Sequence, residues 1–93
     1  MGNLQDKVKA IRKHNKWKTD PRYLLLAMQK ELGELSASFL AHHTEDYRKN
    51  SKIKPHTLEE ELGDLLHLLL AFADEMDIDS EACLEATNKK LKK

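Results

Sequence analysis

Cysteine occurs once in these 93 residues, proline twice and glycine three times. A single thiol, Cys83, cannot close an internal disulfide, and such usage fits a reducing compartment. Few helix breakers, scarce β-branched residues and no clean apolar–polar alternation leave little room for strands. No apolar run is long. The stretch LLHLLLAFA at 65–73 contains a histidine and falls well short of the ~20 residues that span a bilayer. The first twenty residues are polar and charged, so no secretory signal is expected. Net charge is missing too, with 16 basic against 16 acidic residues. A dedicated nucleic-acid binder carries a net basic field, so neither nucleic acid nor a membrane is an expected partner. These absences together point to a cytoplasmic protein.

What is present is helical pattern and segregated charge. Residues 59–64 and 74–81 are acidic, while 7–18, 48–54 and 89–93 are basic. A first helix is expected from about Leu4 to Asn15, with Leu4, Val8 and Ile11 on one face. A second starts at Asp20-Pro21, with aspartate as N-cap and proline at the first helical position, and reaches roughly to Asp46. A basic loop, RKNSKIKPH at 48–56, follows. Thr57 and Glu60 form a capping box that opens a third helix ending near Met76. Asp79 or Ser80 caps a fourth that runs on to the last residues. The expectation is an all-α, four-helix unit, one domain over 1–93. A chain this short buries only about 60–65% of its unfolded surface, which favours association. LLHLLL at 65–70 is apolar nearly all round, as in a buried or interfacial helix.

One pentapeptide recurs: ELGEL at 31–35 and ELGDL at 61–65. Positions three apart on a helix share a face. Glu31 and Glu34 therefore flank the stripe Leu24, Met28, Leu32, Leu35 and Phe39. Glu61 and Asp64 flank Leu58, Leu62, Leu65, Leu69 and Phe72. If the second and third helices pack as an antiparallel hairpin, these acidic shoulders converge. Each like-charged pair at 4 Å costs on the order of 4 kcal/mol at an effective dielectric of 20. A cluster of this kind needs cations or raised pKa values, and all-oxygen ligation suits Mg²⁺ or Mn²⁺ better than zinc. The bland alternative is a polar shoulder on a leucine-rich helix. Glycine inside a helix costs ~1 kcal/mol against alanine, so the two matched glycines suggest close packing or a bend.

ELGEL, EELGDLL some thirty residues on, and IDSEA beyond it resemble the MazG-like nucleotide pyrophosphohydrolases of the all-α NTP pyrophosphatase superfamily. The run DPRYLLLAMQKELGEL is similar to the dCTP pyrophosphatase branch. The resemblance implies an oligomeric helical bundle, a homodimer or homotetramer. It implies Mg²⁺-dependent hydrolysis of a (d)NTP to (d)NMP and pyrophosphate, a house-cleaning of the nucleotide pool. Glu31, Glu34, Glu61 and Asp64 match the family's metal-binding and catalytic acids, one of the first pair being available as a base. Lys30 stands where the family motif places its first glutamate. Trp17, Asn88, Lys90 and Lys93 match substrate-contacting positions, Trp17 by stacking on the base. Two alternatives stay open. One is a phosphoribosyl-ATP pyrophosphohydrolase of histidine synthesis. The other is a non-catalytic helical interaction protein with a degenerate metal site.

Other residues read as structural first. Tyr23 and Tyr47 are read as structural, His67 as a packed or partly exposed histidine, and Cys83 as a core residue. His42 and His43 read as surface. Arg48, Lys49, Lys52 and Lys54 read as solvated, with steering of an anionic substrate as their functional alternative.

Overall fold

The computed structural model describes residues 3–43, of which 41–43 as backbone alone, and residues 58–92. Thr57 of the expected capping box, Tyr47, the basic loop 48–56, the side chains of His42 and His43, and Lys93 lie outside the described residues. Among the described residues there are four helices and no strand. They are α1 (Leu4–His14), α2 (Pro21–His43), α3 (Leu58–Glu75) and α4 (Ser80–Leu91). The all-α expectation holds.

Local chemistry sets the helix ends. The Asn3 side chain accepts the Asp6 backbone N–H at 2.8 Å and caps α1. Asp20 accepts the Arg22 backbone N–H at 2.9 Å, with Pro21 opening α2 as expected. Asp79 accepts from Glu81 and Ala82 at the start of α4. α1 and α3 both end on a residue in the left-handed region without glycine, Lys16 and Asp77, each at φ 57°. Behind them Trp17 N–H donates to the Arg12 carbonyl and Ile78 N–H to the Ala73 carbonyl, both at 2.8 Å. This is the six-to-one closure of a helix C-terminus. It turns the chain sharply and satisfies carbonyls that would otherwise stay open.

Packing is led by α2 against α3, with α1 laid on α3. The buried apolar cluster is small: Val8, Leu24, Leu70 and Ala71, with Met28, Leu68 and Phe72 packed against it. Burying a leucine contributes about 1.5–3 kcal/mol, so this core is thin. A part-buried ion pair adds to it, Arg12 Nη2 donating to Glu75 Oε1 at 2.7 Å. Gln5 ties α1 to the turn between α3 and α4. It donates to the Ile78 carbonyl and accepts from the Ser80 N–H, each at 2.7 Å.

The stripes read from sequence need correcting. On α1 the inward residues are Val8 and Arg12, while Leu4 and Ile11 are exposed. On α2 Leu24 is buried, but Leu32 and Phe39 are exposed. On α3 Leu62 and Leu69 are exposed as well. Leucine on several sides of α2 and α3 hides which side faces inward. Cys83 is exposed on α4 rather than in the core, because α4 buries no side chain among the described residues. The glycines show no close packing either. A Cβ built at Gly33 or Gly63 meets nothing within 4 Å.

Candidate metal centre

The packed face between α2 and α3 is not wholly apolar. Glu61 is 3% exposed, against 57% for its neighbour Leu62. Two turns of α2 after Leu24 bring Glu31 to that same face, half-buried. Glu61 and Glu31 therefore lie in the helix interface itself, rather than on a shoulder beside it. Glu31, Glu34 and Glu61 each offer an oxygen, and these atoms lie within 4.8 Å of one another.

Two of these side chains carry an orphan oxygen. Glu31 Oε2 and Glu61 Oε2 are buried and have no hydrogen-bond partner. A buried polar atom without a partner costs about 1–3 kcal/mol, more when it is charged. Burial pushes the Glu31 carboxyl above the usual carboxylate range. The negative charge of Glu34, a side-chain hydrogen bond to it, and the charges of Asp64 and Glu61 push the same way. Asp64 itself is exposed and stands outside the trio, although its field reaches Glu31. The only nearby cation that pairs with the trio is Lys30, among the described residues. Its Nζ lies 3.9 Å from Glu34 Oε1 on the exposed side of α2.

This donor set fits a hard divalent cation. It is all carboxylate oxygen, it is closely spaced, and two of its three side chains each carry a buried oxygen without a partner. Mg²⁺ and Mn²⁺ take such ligands, whereas zinc prefers nitrogen and sulfur.

The other expected site residues are dispersed. Trp17, half exposed, meets the His67 ring edge-on, with centroids 6.4 Å apart and an 86° angle between planes. Nothing in the sequence pattern joins those two residues. Asn88 and Lys90 are exposed on α4.

Residues 20–93 match the MazG nucleotide pyrophosphohydrolase domain. The chain belongs to that family. The MazG match begins at the cap of α2 and takes in both copies of the acidic pentapeptide. No curated protein matches the chain. Among solved structures it is similar to YPJD from Bacillus subtilis, a candidate pyrophosphatase, at 24% identity and a TM-score of 0.77. The superposition covers 99% of this chain and 97% of that one. At that identity the likeness speaks for the fold, which is thus the MazG fold from α1 onward. Family membership makes the chain a nucleotide pyrophosphohydrolase.

Proposed function

We propose that this MazG domain hydrolyses a nucleoside triphosphate to the monophosphate and pyrophosphate, with Mg²⁺, or Mn²⁺ in its place, held by Glu31, Glu34, Glu61 and Asp64. The observation that carries the reading is the pair of buried, unpartnered oxygens on Glu31 and Glu61. The two side chains come from separate helices, and each offers a carboxylate oxygen to one cluster with Glu34, within 4.8 Å. A bound divalent cation supplies charge neutralisation for the triphosphate oxygens and acidity to a water.

The chain's own residues do the rest. Glu61, locked in the α2–α3 interface, fixes one side of the centre. Glu34 is half-buried beside Lys30 and links the centre to the exposed edge of α2. Asp64, one turn after Glu61 and exposed, completes the acidic set on the side open to substrate. Cleavage of the α–β anhydride adds water across a P–O bond. Oxygen from water joins phosphorus, the bridging P–O bond breaks, and pyrophosphate leaves. A carboxylate of the first pentapeptide takes the proton. Trp17 is read as a platform for the base, and Asn88, Lys90 and Lys93 as contacts to the nucleotide. Removal of surplus or non-standard (d)NTPs in the cytoplasm is the biological sense of this reading.

The chain is also read as one domain over residues 1–93 that works as a homodimer or homotetramer. α1 precedes the family match, yet it is clamped to α3 through Val8 and the Arg12–Glu75 pair. Large apolar side chains such as Leu25, Leu26, Leu62, Leu66 and Leu69 remain exposed. An open groove of about 660 Å³ between α2 and α3 is lined by Leu35, Phe39, Leu40, Leu58 and Leu62. These exposed apolar side chains and the groove support an interaction face. Among the described residues no helix is long and apolar enough to cross a membrane.

The test is a panel of NTPs and dNTPs with Mg²⁺ or Mn²⁺, resolving monophosphate and pyrophosphate, beside Glu61→Gln. The expected result is both products, lost in the variant. Turnover of phosphoribosyl-ATP alone would move the assignment to histidine synthesis. No turnover by folded, metal-loaded protein would leave an interaction module.

A further inference from the structure

Ala71 is the most deeply buried side chain among the described residues, at 0% exposure. It lies midway along a stripe of α3 that runs His67, Ala71, Glu75, each one turn from the next. Both ends of the stripe hold the segment that leads from α1 into α2. At one end Glu75 Oε1 accepts the Arg12 guanidinium at 2.7 Å. At the other the His67 ring takes the Trp17 ring in a T-shaped contact. The backbone closes the circuit, since Trp17 N–H donates to the Arg12 carbonyl at 2.8 Å. Arg12 is thus held through its side chain at Glu75 and through its carbonyl at Trp17, and the indole is delivered to His67.

Followed toward the start of α3, the same side of the helix leads from His67 to Asp64. Three residues along a helix are about 4.5 Å of axial rise. Asp64 is one of the charges that push up the Glu31 pKa. His67 therefore stands six residues, about 9 Å of axial rise, beyond Glu61 of the acidic centre on α3, with Asp64 between them. Trp17 remains 51% exposed despite this contact, so the indole keeps free surface toward solvent.

We propose that His67 is a positioning residue for nucleotide recognition. It holds the Trp17 indole edge-to-face, so that the free indole surface takes the base of a triphosphate whose phosphates lie at the Glu31–Glu61 centre. This rests on reading Trp17 as the base platform. Fixing an aromatic side chain before the ligand arrives removes an ordering cost from binding. A T-shaped contact covers at most one face of the indole and leaves the other open to a ligand.

The experiment compares wild type, His67→Ala and His67→Phe. KM and kcat are measured for ATP, GTP, CTP and UTP, and Ki for inorganic tripolyphosphate, which has phosphates and no base. His67→Ala is expected to raise KM about three- to tenfold, the worth of one aromatic pair, with little change in kcat or in the tripolyphosphate Ki. His67→Phe restores the ring edge and should recover KM. Trp17 is the only tryptophan, so acrylamide quenching of its emission should rise in His67→Ala and fall back in His67→Phe. An unchanged KM overturns the proposal. So does a tripolyphosphate Ki that rises in step with KM, because that marks general damage to the fold. A wild type that turns over none of the triphosphates sinks only the functional reading. His67 is then judged on quenching of Trp17 emission by ATP, and equal quenching in wild type and His67→Ala overturns it.

Discussion

Glu31 on α2 and Glu61 on α3 face each other across the helix interface, and each leaves one oxygen buried without a partner. Their mutual repulsion and desolvation weaken the empty fold, so a ligand that binds only the folded chain stabilises it strongly. At a hundred times its Kd, a divalent cation contributes about 2.7 kcal/mol. For a domain of this size that corresponds to roughly 10–20 °C in Tm. Differential scanning fluorimetry with Mg²⁺ or Mn²⁺ against a chelator measures the rise. Glu61→Gln should abolish most of it, and an equal rise in wild type and variant would rule out this pair as ligands.

Glu31 also sets a pH dependence. The Glu31 pKa is raised, first by burial and then by Glu34. The folded chain thus keeps a proton there that the unfolded chain has already released. Above the ordinary carboxylate range the folded state binds more protons than the unfolded, so stability falls as pH rises. The contribution is fully present below the ordinary value and is lost as pH climbs through the raised one. Glu31→Gln cannot ionise. Without metal, its Tm advantage over wild type is expected to widen from about pH 4 to neutrality and then level off. A constant gap across that range would show that Glu31 titrates normally.

Arg12 and Glu75 are unequal partners. Their side chains are 6% and 27% exposed. Removing Glu75 strands a buried guanidinium, whereas removing Arg12 leaves a carboxylate that water reaches. Breaking a buried pair from its costlier side destabilises by about 3–5 kcal/mol. Glu75→Ala should therefore unfold at lower urea than Arg12→Ala, by a margin above 1 kcal/mol on that scale. Glu75→Gln keeps an acceptor for Arg12 and should fall between wild type and Glu75→Ala. If the two alanine variants unfold together, the pair acts only through packing.

Much of this was legible in the sequence. Asp20-Pro21 and Asp79 announced their helix starts, because capping is local chemistry. The repeated pentapeptide announced the acidic centre, because three-residue spacing fixes a helix face. The depth of Glu61 was not legible. Leucine surrounds α3, and a stripe drawn through Leu62 and Leu69 placed the acid at an edge when it lies in the interface. The ends at Lys16 and Asp77 carried no glycine signal, since both residues take the left-handed conformation at some cost. The contact of Trp17 with His67 joins residues fifty positions apart, and only tertiary packing reveals it.

Gly33 and Gly63 occupy the same place in the two pentapeptides. Both are exposed, and an added Cβ at either meets no atom within 4 Å. Inside a helix each glycine costs about 0.5–1 kcal/mol relative to alanine, and packing within one chain offers no return for that cost. Gly33→Ala and Gly63→Ala should thus each stabilise the isolated chain by that amount, seen as a higher Tm at low protein concentration. The matched glycines sit beside exposed leucines, Leu32 in one helix and Leu62 in the other. A second copy seated on those faces would meet the new methyl groups. Light scattering after size exclusion is therefore expected to show a smaller assembled fraction in the variants. Chains that are stabilised and assemble as before would remove close contact between copies as the reason for the glycines.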